Sequence, residues 1–240
     1  MCCFPLGVLR HITSQLKCPG GLRMHRIFRL AAFAFLALTA SACTFEREGP
    51  PEYHYQEFKT DAPRGNTYTI CHAYGCNMQT PVVIGPAEVK LIAAEMKRIA
   101  KSNTPGEERR AIAYAVSWME RYVGNKIGTK GDRPGMEFNG PGDPTQQDCV
   151  DEATNTTSYL LVLERNGLLK HHKVGRPFSR GNILLGVSNW VHWTATMNEN
   201  STGVKWAVDS WIYENGENPA IVEANKWYRK DLKELPKSSI

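Results

Sequence analysis

One cysteine, one histidine and one aspartate stand where they could act together as a nucleophile, a base and an orienting acid. Cys149 lies in "TQQDCVDEATNTTSYLLVL", residues 145–163, where a polar loop gives way to an apolar helical pattern. His192 lies in "NWVHWTATM" and Asp209 in "VKWAVDSWI", two segments with the alternation of β-strands. A thiol that attacks a carbonyl, an imidazole that moves its proton and a carboxylate that holds the imidazole indicate acyl transfer.

The start of a helix is a favourable place for a reactive thiol. Thr145 and Asp148 have the spacing of a capping box, which places Cys149 in or just before the first helical turn. The amides and dipole of that turn lower the pKa of a thiol, whereas neighbouring carboxylates raise it. The carboxylates in question are Asp148, Asp151 and Glu152. The sequence therefore predicts that Cys149 needs His192 for activation.

The elements that must position these residues form an α+β pattern. Apolar residues recur at helical spacing after Pro86 and again after Thr104, which predicts two N-terminal helices. A third helix is predicted over about 148–165, ended by Gly167. Later segments rich in Val, Ile, Thr, Trp and Tyr predict antiparallel strands. We expect one domain over 67–240, in which a central Cys-bearing helix packs on an antiparallel sheet.

The N-terminal part of the sequence predicts export. Residues 1–23 resemble an upstream extension, and 24–42 resemble a signal peptide with a basic start, a short apolar stretch and small residues at its end. "LTASAC" resembles a bacterial lipobox, in which Cys43 would carry lipid and anchor the protein to the periplasmic side of the outer membrane. Ordinary cleavage after "ASA" would leave it periplasmic. Residues 43–66, rich in proline and charge, predict a tether.

The remaining cysteines divide into a close pair and a single residue. Cys71 and Cys76 in "CHAYGC" can close a small disulfide loop in an oxidising compartment. If Cys43 carries lipid, Cys149 is left unpaired. An unpaired thiol in an exported protein indicates reactivity, and the alternative is a buried cysteine that only fills space.

Charge and metal-ligand patterns point away from other classes of site. The formal net charge is +5, and the first 42 residues, with five basic residues and no acid, hold the whole excess. Nucleic-acid binding is therefore not favoured, because it needs basic groups on the folded domain. Metal binding is not favoured either, because the neighbouring His171 and His172 would point to opposite faces of a strand. No cofactor is implied.

The order of these motifs resembles the transglutaminase-like superfamily, and more narrowly its bacterial cysteine-proteinase branch. "DCVDEA" is similar to that branch's "GDCEDYA" and "WAVDSW" to its "VVLDN", and the resemblance spans roughly residues 86–215. It implies a papain-like core and a catalytic triad of Cys149, His192 and Asp209. The residue two before the cysteine is Gln147, where the family often has glycine.

The oxyanion donor and the function class stay open at this stage. The Cys149 backbone amide is one candidate donor, and the side chains of Gln146 and Gln147 are two others. The substrate would be a protein or peptide, including a cell-wall peptide, with water or an amine as acceptor. Two alternatives are an NlpC/P60-type peptidoglycan endopeptidase, whose "DCSG" motif fits "DCVD" poorly, and a non-catalytic envelope lipoprotein that uses its tryptophans for binding.

Overall fold

Helices and antiparallel strands follow one another along the chain as the α+β prediction requires. The structure is a computed structural model that describes residues 48–181, 184 and 190–230, all within one compact unit. In chain order the elements are α1 (Glu52–Glu57), β1 (Thr67–His72), β2 (Met78–Val83), α2 (Pro86–Ile99), α3 (Pro105–Ile127), a 3₁₀ turn (Thr129–Gly131), α4 (Cys149–Arg165), β3 (His172–Arg180), β4 (His192–Glu199), β5 (Lys205–Asp209), β6 (Ala220–Glu223) and α5 (Ala224–Tyr228). The α+β class is confirmed.

The four C-terminal strands form one antiparallel sheet in the order β3-β4-β5-β6, whereas β1 and β2 form a separate antiparallel pair. Side chains alternate between the two faces of the larger sheet. Ala195, Met197 and Val208 belong to the main core with α4. Phe178 and Ala207 instead pack with α5. The sheet therefore supports the Cys-bearing helix on one face and the C-terminal helix on the other.

Helix α4 is the centre of the domain and is buried along almost its whole length. Its buried polar side chains are matched by partners from several surrounding elements. Asn155 exchanges hydrogen bonds with the Cys71 backbone, and Thr156 bonds to Ser210 beyond β5 at 2.9 Å. Because a buried polar group without a partner costs free energy, these pairs fix the rotation of α4 about its axis and its position along that axis.

The two long helices α2 and α3 begin where the sequence predicts. Pro86 opens α2, and the Thr104 hydroxyl caps α3 by accepting a hydrogen bond from the Glu107 amide. Their apolar faces, which include Ile92 and Ile112, join the core around α4. Within the described part of the chain, no helix has both the length and the apolar character that crossing a bilayer requires.

The domain begins earlier than the sequence indicates, so the tether predicted over 43–66 is wrong for the described part of that range. Residues 52–57 form α1, in which His54 and Tyr55 are buried. The His54 ring bonds to the Thr154 hydroxyl at 2.8 Å, and the Tyr55 hydroxyl bonds to Ser158 at 2.8 Å. The prediction failed because six residues are too few to display a helical period.

We expect Tyr55→Phe to lower the free energy of unfolding by about 1–2 kcal/mol, because the buried Ser158 hydroxyl loses its hydrogen bond with Tyr55. Urea titration followed by circular dichroism measures this change. Tyr53→Phe is the matched control: Tyr53 is 47% exposed, and its ring, which the substitution keeps, lies beneath the Arg176 guanidinium. Equal stabilities of the two variants would contradict the inclusion of α1 in the folded domain.

Candidate active site

Asp148, rather than Thr145, caps the helix that carries the cysteine. Its carboxylate accepts hydrogen bonds from the amides of Val150 and Asp151 at 3.0 and 2.9 Å. The Asp151 carboxylate in turn accepts one from the Asp148 amide at 3.2 Å. The predicted capping pair of Thr145 and Asp148 is therefore wrong by three residues, because Asp148 and Asp151 form the reciprocal box. Cys149 is the first residue of α4, as expected.

The Cys149 side chain lies in a small apolar cluster between α4 and β4. It packs against Ala153 and Trp193 and is 6% exposed. Its thiol donates a hydrogen bond to the Val191 carbonyl at 3.7 Å. It is also the free cysteine among the described residues. The thiol is thus held with its proton directed at a backbone carbonyl.

Burial raises the pKa of the Cys149 thiol to about 12, and the charge of Asp148 adds to this rise. Asp209 and Asp151 raise the pKa further, while the Trp193 amide lowers it. The thiol is therefore protonated at neutral pH. The sequence-based expectation that the helix start favours a thiolate is outweighed here, because the site is nearly dry and the nearby side-chain charges that act on it are negative.

His192 and Asp209 form the buried pair that the sequence predicts. The His192 Nε2 atom lies 2.7 Å from Asp209 Oδ2. Because a carboxylate can only accept, Nε2 carries the proton and Nδ1 of the neutral ring is left as a hydrogen-bond acceptor. His192 Nδ1 is buried and has no hydrogen-bond partner among the described residues. Nδ1 is therefore available as an acceptor, while the bond from Nε2 to Asp209 fixes the orientation of the ring.

Trp227 is a residue of the site that the sequence analysis missed. Its indole Nε1 donates to the same Asp209 Oδ2 atom at 2.7 Å, and its ring lies 5.2 Å from that of His192. Arg180 stacks on the other side, 4.2 Å from the Trp227 ring, and donates to the Trp227 carbonyl. The only available signal was an aromatic residue within the charged segment "KWYRKDLKELPKSSI". Trp227 fixes the carboxylate and covers the imidazole.

His192 and Asp209 bond directly to each other, whereas Cys149 is linked to them only through neighbouring residues. Val191 and Trp193, the residues on either side of His192, both contact the Cys149 cluster. Trp211 packs on the same cluster and lies 4.5 Å from the His192 ring. No hydrogen bond between the thiol and the imidazole occurs among the described contacts, and the thiol donates to the Val191 carbonyl instead.

The side chains of Gln146 and Gln147 are not the oxyanion donors that the sequence allowed. The Gln146 amide donates to the carbonyls of Gly131 and Thr145, and the Gln147 amide to the Cys71 carbonyl. Both glutamines are buried and serve the loop before α4.

Two other groups near Cys149 have an N–H donor without a described hydrogen-bond partner. The Cys149 backbone amide is in the first turn of α4, where amides lack helical partners, and no described hydrogen bond uses it. The buried Nε1 atom of Trp211 is likewise without a partner in the described part of the protein.

The predicted disulfide between Cys71 and Cys76 is confirmed. Its sulfur atoms lie close to the Asp151 carboxylate, which makes these three residues the described group with the spacing of metal ligands. Oxidised sulfur atoms are poor ligands compared with thiolates, and the Asp151 carboxylate already accepts the amides of Tyr74, Cys76 and Asp148. The group therefore fits a structural junction better than a metal site.

Three further carboxylates are buried below the start of α4. Burial raises the pKa of Glu152 to about 7 and that of Asp132 to about 8. Burial also raises the pKa of Glu120, and the charge of Glu152 adds to the rise. Glu152 accepts a hydrogen bond from Ser210 at 2.6 Å, next to Asp209 in the chain. These three carboxyl groups therefore release their protons at higher pH than exposed carboxyl groups do.

A cavity among the described residues lies away from this chemistry. It is about 560 Å³ in volume and is bounded by α2, the start of α3 and the segment after α4, with an apolar floor that includes Met96 and Leu168. At its edge His171 bonds to Asn103, and the neighbouring His172 is held by Glu108 at 2.7 Å. These histidines serve the scaffold rather than the Cys149 site.

Cys43, the predicted lipid attachment point, and the whole predicted leader lie outside the described residues. Comparison with known proteins adds no family assignment. No family model matches the chain, and no curated protein and no solved structure is significantly similar to it.

Proposed function

We propose that this protein is a thiol enzyme that transfers acyl groups from amide or peptide bonds through Cys149. The observation that carries the proposal is the His192 ring: Asp209 bonds to Nε2 at 2.7 Å, while the buried Nδ1 has no described partner. Trp211 packs both on this ring and on the cluster that contains the free Cys149. A buried ring nitrogen without a partner costs free energy unless it has another use, such as accepting a proton. A tautomer fixed by a carboxylate, with its second nitrogen free, is what a general base needs.

The reaction starts from a neutral pair rather than from a preformed ion pair. The Cys149 side chain rotates away from the Val191 carbonyl, its proton passes to His192 Nδ1, and sulfur bonds to the substrate carbonyl carbon. When the carbon–nitrogen bond breaks, the leaving amine takes the proton from Nδ1 and a thioester remains. Water or a second amine, deprotonated by Nδ1, then attacks the thioester. The carbon–sulfur bond breaks, and Nδ1 returns the proton to the Cys149 sulfur. Asp209 stabilises the imidazolium in both steps.

The negative charge that develops on the carbonyl oxygen needs donors close to Cys149. The Cys149 amide and the Trp211 indole N–H are two donors of the site without described partners. Hydrogen bonds from such fixed donors are strongest in a site that excludes water. We assign the oxyanion to these two donors.

The compartment and the substrate class follow from the sequence pattern and the disulfide. The leader pattern, the "LTASAC" motif and the Cys71–Cys76 bond all suit an exported protein, which we place on the periplasmic side of the outer membrane, anchored through lipid on Cys43, or free in the periplasm. The substrate is then an envelope protein or a cell-wall peptide. The motif resemblance to transglutaminase-like cysteine proteinases supports the same reaction class.

One observation favours a second candidate function, a non-catalytic binding module. The Cys149 thiol has a pKa raised to about 12 by burial and bonds to a backbone carbonyl instead of to His192. A cysteine that only fills space next to Trp193 would look the same. The two candidates differ in whether the thiol can be reached and deprotonated by its neighbours when a substrate binds.

Labelling with a mixture of peptidyl acyloxymethyl ketones separates the two functions. These weak electrophiles react with a thiol that is positioned beside a base and an oxyanion site. We expect the folded protein to be labelled at Cys149, as mapped by mass spectrometry, and the urea-unfolded protein to be labelled much less. Cys149→Ala is the control for labelling elsewhere. Absence of labelling between pH 5 and pH 9 would favour the binding module.

A further inference from the structure

The loop closed by the Cys71–Cys76 disulfide has an unusual backbone. Ala73, Tyr74, Gly75 and Cys76 follow one another with φ values of 65°, 68°, 67° and 56°. For residues other than glycine this left-handed conformation costs about 1–2 kcal/mol each. Such a conformation persists only where its surroundings fix it. The disulfide ties the two ends of this turn together.

The same loop contacts the segment that immediately precedes the start of α4 and Cys149. The Ala73 amide donates to the Gln146 carbonyl at 2.8 Å, and the Ala73 carbonyl accepts from the Gly142 amide at 3.2 Å. The His72 ring donates to the Pro144 carbonyl at 2.8 Å. Residues 142–146 are thus held by two main-chain bonds and one side-chain bond to the loop, and they form no helix or strand of their own.

The Tyr74 side chain extends this contact towards residue 137. Its hydroxyl accepts a hydrogen bond from the Glu137 amide at 3.0 Å. Gly140 lies so close that a Cβ atom there would be 2.3 Å from the Tyr74 ring. Glycine is therefore required at 140 for the segment to fold over Tyr74.

The loop also supports the first turn of α4 directly. The amides of Tyr74 and Cys76 donate to the two oxygens of Asp151 at 2.9 and 2.6 Å. Asp151 is the residue that also caps the Asp148 amide. A carboxylate as deeply buried as Asp151 is stable in this position only while these donors stay in place.

We infer that the disulfide loop 71–76 is the positioning element for Cys149, and that opening the disulfide loosens the start of α4 and exposes the thiol. A dithiol would do this by donating two electrons and two protons: the sulfur–sulfur bond breaks, two thiols form, and the dithiol closes into its own disulfide. The site would then respond to the redox state of its compartment. Redox regulation of an activity rests on the proposed function. The positioning of Cys149 by the loop can be measured whether or not the protein is an enzyme.

Hydrogen exchange and alkylation of Cys71→Ser/Cys76→Ser test the inference in the full chain. Without the disulfide, we expect amides of 137–148 to exchange at least about ten times faster, while amides of α2 and α3 keep their protection. Iodoacetamide should modify Cys149 at least about ten times faster, and the pH of half-maximal reaction should move down, because the thiol becomes hydrated. The wild-type protein reduced with dithiothreitol and then desalted should behave like the variant.

Tyr55→Phe is the control for a general loss of stability, since it removes a buried hydrogen bond to α4 without touching the loop. It should leave the exchange of 137–148 and the pH profile of Cys149 unchanged. Unchanged exchange of 137–148 with the disulfide open would overturn the inference. That outcome is distinct from failure of the proposed function, which would show as absence of acyloxymethyl ketone labelling in the disulfide-intact protein.

Discussion

His192→Ala will slow the reaction of Cys149 with peptidyl acyloxymethyl ketones by at least about a thousandfold. The thiol pKa is raised to about 12, so almost no thiolate exists at pH 7 without a base. His192 Nδ1 is a buried acceptor without a described partner, and the residues on both sides of His192 contact the cluster that holds the thiol. With alanine at 192 the proton has no nearby acceptor, and the Asp209 carboxylate, left with Trp227 as its donor, opposes the thiolate.

The rate is measured as labelling of Cys149 over time, with circular dichroism to show that the fold is kept. His171→Ala is the matched control: His171 bonds to Asn103 at the edge of the distant cavity, so its loss should leave the labelling rate unchanged. Equal rates for the parent and His192→Ala would show that the imidazole plays no part in activating Cys149, and the proposed enzyme would be abandoned.

Local periodicity predicted the elements that carry the site. The apolar pattern of 149–163 gave α4, and the alternation around His192 and Asp209 gave two neighbouring strands, which pair as β4 and β5. Because these strands are adjacent and antiparallel, residues at their facing ends come together, and the 2.7 Å contact of His192 and Asp209 follows. The pairing of His192 with Asp209 was therefore predictable, because the two residues lie on consecutive strands, 17 residues apart in the chain.

Contacts between distant segments could not be predicted in the same way. Trp227 reaches Asp209 from a five-residue helix in a charged segment, and α1 reaches α4 across about a hundred residues of chain. Neither segment has enough residues to show a period. The Cys149 thiol points towards the Val191 carbonyl because of its rotamer and its burial. The pattern of residue types in the sequence predicts neither of these.

The second large effect concerns stability: the melting temperature should fall between pH 5 and pH 9. Burial raises the pKa of Glu152 to about 7 and that of Asp132 to about 8, against about 4 in an unfolded chain. The folded protein therefore keeps protons that the unfolded chain has already released. For acids with raised pKa values, the full stability is present below about pH 4 and is lost as the pH rises through the folded values.

Glu152 alone accounts for a loss on the order of 3 kcal/mol by this linkage, which corresponds to a fall of about 6–12 °C in a domain of this size. Thermal unfolding followed by circular dichroism at pH 5, 6, 7, 8 and 9 measures the fall. Glu152→Gln should flatten the curve, because the amide oxygen can still accept from Ser210 but carries no charge at high pH. Glu88→Gln is the control: the pKa of Glu88 is lowered by its hydrogen bonds, so it is already ionised at pH 5 and should not alter the slope. A parent melting temperature that stays level or rises from pH 5 to pH 9 would mean that these buried carboxylates are ionised in the folded protein, with charges balanced by neighbours.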